Sequence, residues 1–436
     1  DGNVIADYDD PEMAASGLAA SGRGLSMNQV AIMKTRSLRV RKSAEKKAKK
    51  PAVSWDDLFT PASDLRNITD SLFTNWINLM LLALPVAIAS HYLAWPAIIV
   101  FIFNVIAIVP LALLLGEITE DLAIRFGDVW GGLINATFGN VVEMILSIVL
   151  LMKGLTTVVS TSLIGSILSN LLLVIGCCFF VGGLNFKHQT FSSGASKANV
   201  SLLFMSCIAV LLPSMISYSN GHKDPEKEDE QVKQISHIIA LVLTGMYLCY
   251  LYFQLVTHNH VFISVSDNRV TNREEEEEEE EEEPQYSMLG ALMLMTMTTV
   301  VVAFCSEYLS GSIEEVSKKS GLSLSFIGMI ILPIAGNACE HITAVLVAAK
   351  DKMDLAIAVG VGSSIQIAIF VYPFVVLVGW AMGVDFTLKL NLFDVMVVCV
   401  SVVLAAFVTM DGNSHWFTGL MLIATYILVA ITYFYG

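Results

Sequence analysis

Charge is scarce in this chain, and paired cysteines are missing from it. Only 15% of the 436 residues are Asp, Glu, Lys or Arg, against roughly 25% in an ordinary globular domain. In their place stand 55% hydrophobic residues and a mean hydropathy of +0.66. A water-soluble fold could not bury that surplus, so the composition points to a bilayer. The seven cysteines (Cys177, Cys178, Cys207, Cys249, Cys305, Cys339, Cys399) all lie in apolar segments. They lack the loop pairing of a disulfide framework or a zinc site and are read as small packing residues. No recognisable nucleophile, catalytic metal-ligand set or soluble catalytic domain appears, so no enzyme, no cofactor and no nucleic-acid partner is expected. No apolar signal-peptide core precedes residue 75, so the first hydrophobic run is expected to serve as the targeting signal.

Eleven runs are long enough to cross a hydrocarbon core, which takes about 20 residues each. They cover 75–92, 95–115, 130–152, 157–182, 197–217, 234–256, 287–307, 325–349, 355–380, 392–410 and 415–435. Their Leu, Ile, Val, Met and Phe show no strict alternation, which favours helices over a transmembrane barrel. The expected fold is therefore an all-α polytopic membrane protein with eleven transmembrane helices.

Residues 1–70 form a polar tail carrying Lys34, Arg36, Arg39, Arg41, Lys42, Lys46, Lys47, Lys49 and Lys50. The positive-inside rule keeps this end cytosolic, and the tail is a solvated or a regulatory segment. The net charge of −15 gathers in loops, above all in the ten glutamates Glu274–Glu283 and in the stretch Asp224–Glu230. With the N-terminus inside, the polyglutamate linker faces the cytosol, either as a solvated linker or as a weak calcium-accumulating segment.

The chain also resembles itself. Laying residues 139–183 over 336–380 at an ungapped offset of 197 matches Gly139 with Gly336, Asn140 with Asn337, Glu143 with Glu340 and Lys153 with Lys350. Further along, Gly165 meets Gly362 and Ser166 meets Ser363. Chance aligns leucines in membrane helices; it does not readily align Gly-Asn-x-x-Glu and Gly-Ser twice. The expected organisation is a tail over 1–70, a first helix over 71–93, a five-helix repeat over 94–257, an acidic linker over 258–286 and a second repeat over 287–436. Five helices per repeat invert the second relative to the first, an arrangement associated with alternating access.

An acidic residue at the centre of a membrane helix costs roughly 2.5 to 3.5 kcal/mol, so Glu143 and Glu340 need a reason. A pseudo-two-fold axis would bring them together near the midplane. Helical spacing sets Gly132, Ala136, Gly139 and Glu143 on one stripe, and Gly336, Glu340 and Ala344 on another, with Asn140 and Asn337 alongside. Pro333 has no N–H for the carbonyl of Met329, a further oxygen ligand. On the following helices Ser162, Ser166 and Ser169 share a face, as do Ser363 and Gln366; helix packing explains these as well as ligation does. Such a lining suits Ca2+, which takes about six to eight oxygen ligands; Mn2+ fits the same chemistry, and no thiolate or imidazole set invites a softer metal. Two carboxylates balance a divalent cation, and without it they are better tolerated protonated, so protons and calcium compete for one site. His341 is a candidate proton handler. Glu117, Glu120, Glu307, Glu314 and Glu315 lie at span ends, as a candidate vestibule or as solvated helix ends.

The segments Gly-Gly-Leu-Ile-Asn-Ala-Thr-Phe-Gly-Asn-Val-Val-Glu at 131–143 and Pro-Ile-Ala-Gly-Asn-Ala-Cys-Glu-His at 333–341 resemble the paired signatures of the cation/proton exchanger family, the vacuolar calcium/proton antiporters. The likeness continues through Gly165–Asn170 and Gly362–Gln366 and covers nearly all of the chain after residue 70. It implies eleven helices, alternating access, calcium held by Glu143 and Glu340 with carbonyls near Gly139 and Gly336, and an acidic-organelle membrane. Sodium/calcium exchangers generally place Pro before the repeat Glu; Val142 and Cys339 stand there instead, which favours protons. A sodium-coupled exchanger, a cation channel and a membrane enzyme are the rival readings. The oligomeric state is left open.

Overall fold

The computed structural model describes residues 60–74, 76–219, 225–258 and 284–436. The basic cluster, the polyglutamate run and the start of the Asp224–Glu230 stretch lie outside the described residues or their described side chains. From residue 60 onward the chain is one compact unit.

That unit is built of helices, as the hydropathy demands. Helix α1 (Pro61–Thr74) precedes a 3-10 stretch, Trp76–Leu82, that runs into α2 (Ala83–Tyr92). Then come α3 (Ala97–Phe138), α4 (Val141–Met152), α5 (Thr156–Leu168) and α6 (Ile175–Asn185). Helices α7 (Ser193–Ser219) and α8 (Pro225–Tyr252) close the first half. The second holds α9 (Met288–Ser320), α10 (Leu324–Phe326), α11 (Leu332–Gly336), α12 (Ala338–Ala349), α13 (Met353–Gln366), α14 (Tyr372–Met382), α15 (Leu392–Thr409) and α16 (Trp416–Tyr435). Among the described residues eight helices are long and apolar enough to cross a membrane, or ten if each of two bent pairs counts as one span.

Two differences from the sequence expectation concern the start of the chain and α3. The tail was expected to run to residue 70, yet α1 begins at Pro61, with Asp64 in its first turn. Helical hydrogen bonding was expected to stop between 115 and 130, yet it continues to Phe138. The reversal is nevertheless there. A Cβ on Gly131 would sit 2.3 Å from the carbonyl oxygen of Ala123, whereas eight residues of straight helix would separate the two by about 12 Å. The chain doubles back on itself, and glycine lets the backbones touch.

The internal offset is visible in helix ends. Val141–Met152 and Ala338–Ala349 differ by 197 at both ends, and so do Ile175–Asn185 and Tyr372–Met382. Each α5–α6 and α13–α14 pair is one span of 30 residues, interrupted by a π-helical turn at Ser169–Val174 or Ile367–Val371. Packing crosses between the halves: α3 lies on α9, α7 on α15, α6 on α16 and α8 on α14. The core runs through the middle of α5, α6, α13 and α14, where Leu163, Leu171, Phe179, Ile365, Val371 and Tyr372 are sealed. Leucine, isoleucine and phenylalanine populate the outer surface, and Trp76, Trp95, Trp130, Trp380 and Trp416 are exposed near helix ends, as interfacial anchors are.

Polar contacts tie helix ends and connections together. Strand β1 (Gln189–Thr190) pairs antiparallel with β2 (Asn413–Ser414). Gln189 donates from Nε2 to the Ala348 carbonyl and to Asp351 Oδ1, and the Ser192 N–H donates to Asp354 Oδ1. Elsewhere Lys233 pairs with Asp385, Lys389 with Asp229, and Lys153 with Glu307. At the start of α9, the buried carboxylate of Asp64 accepts from the N–H and hydroxyl of Ser287 at 2.7 and 2.5 Å. Asp121 accepts from the Gln285 N–H, and Arg125 donates to the Tyr286 carbonyl.

Candidate functional site

Glycine followed by asparagine is a poor continuation of a helix, and at both repeat positions the helix breaks there. Asn140 (φ −107°, ψ 19°) and Asn337 (φ −87°, ψ 17°) leave helical geometry and restart it as α4 and α12. The second break bends the chain by 56° between the α10–α11 segment and α12. Glu143 and Glu340 stand at the third position of the restarted helices, where unpaired N–H groups and the helix dipole favour oxygen ligands and negative charge. Glutamate has little reason to sit there in lipid unless something balances it.

The halves interlock around these carboxylates. Glu143 is buried and Glu340 partly so, and the two are close enough to interact electrostatically. A Cβ on Gly336 would lie 3.1 Å from Glu143 Oε1, so the signature glycine of one half lets the glutamate of the other approach. Asn140 donates from Nδ2 to Gln366 Oε1 at 2.5 Å, and Ser363 donates to Asn140 Oδ1 at 3.4 Å. Asn337 Nδ2 reaches the Ser166 carbonyl at 3.3 Å. Ser169 Oγ lies 3.2 Å from His341 Nε2, and His341 Nδ1 lies 2.6 Å from the Asn337 carbonyl, which fixes the ring. Ser162, Ser166, Ser169 and Ser363 are buried. Gly165 seats α5 against the second break, with its would-be Cβ 2.2 Å from the Met329 carbonyl oxygen and 2.7 Å from Pro333 Cγ.

Four buried acceptor oxygens here have no hydrogen-bond partner: Glu143 Oε1, Glu340 Oε2, Asn337 Oδ1 and Asn170 Oδ1. Native proteins satisfy nearly all such atoms with protein or water, and carboxylate and amide oxygens are the kind that a hard cation takes. No group of three or more His, Cys, Asp or Glu able to hold a metal exists among the described residues; any cation here would draw on amide, hydroxyl and backbone oxygens beside the two carboxylates. Asn170 was not singled out from the sequence. It sits in the π turn, donates to Ser363 Oγ at 3.0 Å, and its repeat equivalent is the apolar Ile367, so no internal match marked it.

The acidic residues at helix ends behave differently from one another. Glu117 is partly buried and accepts from Ser71 Oγ at 2.8 Å. Both Glu117 and Glu120 act electrostatically on Cys339, the neighbour of Glu340. Glu307 pairs with Lys153 at 2.7 Å, while Glu314 and Glu315 make i,i+4 pairs with Lys318 and Lys319.

A family model described as sodium/calcium exchanger protein matches residues 96–256 and 290–435. The chain is 41% identical over 364 residues to a Ca(2+)/H(+) antiporter of Synechocystis, covering 82% of this chain and 96% of that protein. It is 40% identical over 383 residues to vacuolar cation/proton exchanger 3 of Oryza sativa subsp. japonica, covering 87% and 91%. Among solved structures, native YfkE superposes with a TM-score of 0.69 at 33% identity, covering 83% of this chain and all of that one. The H+/Ca2+ exchanger CAX, at 14% identity and a TM-score of 0.63, shares the fold.

Proposed function

This chain belongs to the sodium/calcium exchanger protein family, and from that premise we propose that it exchanges calcium for protons across the membrane of a vacuole or another acidic organelle. It is a transporter, and the ions it moves are its substrates. The observation that carries the reading is the pair of repeat-equivalent glutamates at two helix breaks, with unpartnered oxygens on both. Relatives named as calcium/proton antiporters, about 40% identical over most of their length, favour protons over sodium.

In this reading Glu143 and Glu340 bind calcium together. Gly139, Gly336, Asn140, Asn337, Ser166, Ser169, Ser363 and Gln366 supply further oxygens or hold those that do. Two carboxylates neutralise one divalent cation, and two protons neutralise them for the return step, so the site never crosses the membrane interior with uncompensated charge. His341, anchored to Asn337 and Ser169, passes protons to the pair. Glu117 and Glu120 gather cations beside it, whereas Glu307 and Glu314 are engaged with lysines and serve the surface.

The membrane layout is eleven spans, with the first outside two inverted five-helix repeats. The two bent pairs count as spans, and the end of α3 joins α4 as a third broken one. Counted that way with the N-terminus cytosolic, the β1–β2 connections, Asp351, Asp354 and the Asp64–Ser287 clamp all fall on the cytosolic side. Lys153–Glu307, Lys233–Asp385 and Lys389–Asp229 all fall on the lumenal side. Every one of these contacts joins connections that the count puts on one face.

The test is calcium uptake into sealed, acid-loaded vesicles containing the purified full chain, with and without a protonophore. Uptake should follow the pH gradient, stop with the protonophore and vanish in Glu143→Gln and in Glu340→Gln. Uptake that persists without the gradient, or in both variants, refutes the coupling site.

A further inference from the structure

The two halves close equivalent helix junctions by different means. Helix α16 meets α6 through glycine: a Cβ on Gly183 would lie 2.3 Å from the backbone nitrogen of Trp416, one on Gly419 would lie 2.3 Å from that of Phe180, and Gly176 is similarly crowded by Ile423. Backbone meets backbone there. The repeat-equivalent junction is α8 on α14. Trp380 stands at the position equivalent to Gly183, at the offset of 197, and Gly245 of α8 has open space around it. What joins these helices near their outer ends is a ring stack, with His237 and Trp380 centroids 4.4 Å apart and planes inclined by 13°.

The surroundings of that stack are charged. His237 is buried while Trp380 is half-exposed at the surface. Lys233 and Glu230, one turn or two back on α8, and Asp385, on the connection after α14, act on the imidazole. Lys233 is itself paired to Asp385. Burial and Lys233 oppose an imidazolium; the indole face and two carboxylates attract it, but Asp385 is already engaged by Lys233. Histidine is the side chain that changes charge in the range of an acidic organelle lumen, and the topology proposed above, on which this placement rests, puts the stack at the lumenal surface. Helix α14 continues directly from α13 through the π turn, so its outer end is linked along one span to Ser363 and Gln366, with Trp380 about 21 Å beyond Gln366 along the helix.

We infer that His237 and Trp380 form a lumenal proton-responsive latch, in which protonation of the imidazole loosens α8 from α14 and so frees the helix that carries Ser363 and Gln366. Neither residue touches the cation; both act by position.

The experiment uses the full chain in nanodiscs, with Trp380 retained and the other tryptophans changed to Phe. Parting the rings changes the surroundings of the indole and so its emission. Trp380 fluorescence should therefore change in one single-proton step between about pH 5 and 7 as pH is lowered. The step should disappear in His237→Phe, which keeps the stack without the proton, and in His237→Gln. A flat titration, or the same step in both variants, overturns the inference. A second readout is exchange of labelled for unlabelled calcium across proteoliposomes at fixed outer pH. Its dependence on lumenal pH should lose one component in His237→Phe, while gradient-driven uptake survives. An unchanged lumenal profile in that variant also overturns the inference. The fluorescence step involves no transported ion, so it stands or fails separately from the exchange reaction.

Discussion

Gly165 and Gly362 occupy the same place in the two copies of the Gly-Ser signature, yet the structure predicts opposite outcomes for one added methyl group. At Gly165 a Cβ would fall 2.2 Å from the Met329 carbonyl oxygen and 2.7 Å from Pro333 Cγ; at Gly362 nothing lies within 4 Å. The obstacles at Gly165 are backbone and a proline ring, which cannot turn aside, so α5 must move away from the break that precedes Glu340. Overpacking of this kind costs about 1–3 kcal/mol. Gly362→Ala should be neutral or slightly stabilising, because alanine in a helix is favoured over glycine by up to about 1 kcal/mol. The assay is thermal loss of the monodisperse peak for the two purified variants, with calcium uptake measured on the same preparations. Gly165→Ala should melt clearly below wild type and lose most of its uptake, and Gly362→Ala should match wild type in both. Equal damage in the two variants, or none in Gly165→Ala, would refute the claim that α5 is wedged against the second break.

Other contacts give smaller, separable effects. Asp64→Ala removes both acceptors at the start of α9 and, by analogy with a lost helix cap, should cost about 0.5–2 kcal/mol, read as a lower melting midpoint with calcium affinity retained. Gln189→Leu strands the Ala348 carbonyl and Asp351; the expected loss is about 1–3 kcal/mol, and proteolysis should reach the 186–192 connection first. Lys153→Met should do little, since its partner Glu307 is half-exposed and such a pair is worth about 1 kcal/mol or less; a severe loss would show that this pair does more than decorate the surface.

Much of the site could be seen in the sequence because burying an acid in lipid is costly and doing it twice at one spacing is costlier. The breaks at Asn140 and Asn337 were not foreseen: helical spacing put Gly139 with Glu143 and Gly336 with Glu340 on continuous stripes, and the structure interrupts both helices between them. The partners on the next helices, Ser169 with His341 and Asn140 with Gln366, were legible as polar residues but not as partners, since pairing depends on how the halves cross. The π turns left no mark, because one extra residue per turn alters hydrogen bonding without altering hydropathy. Asn170 entered only as the end of the family-like stretch and was given no role, for that reason and because Ile367 breaks the internal match. The β1–β2 pair is two residues per strand, too short for an alternation to register. The clamp at Ser287 joins residues 223 positions apart, which local spacing cannot foretell.

The glycine seam between α6 and α16 has a consequence for how the chain is made. Helix α6 ends at Asn185 and α16 begins at Trp416, 231 residues later. At about 5–20 residues per second, the ribosome needs roughly 10–50 s to deliver the second helix after the first has entered the membrane. Through that interval the bare backbone at Gly176 and Gly183 faces lipid or a borrowed partner. A helix made long after α6 thus completes a surface laid down in the first half, and a chain interrupted before residue 416 would carry that surface unfinished.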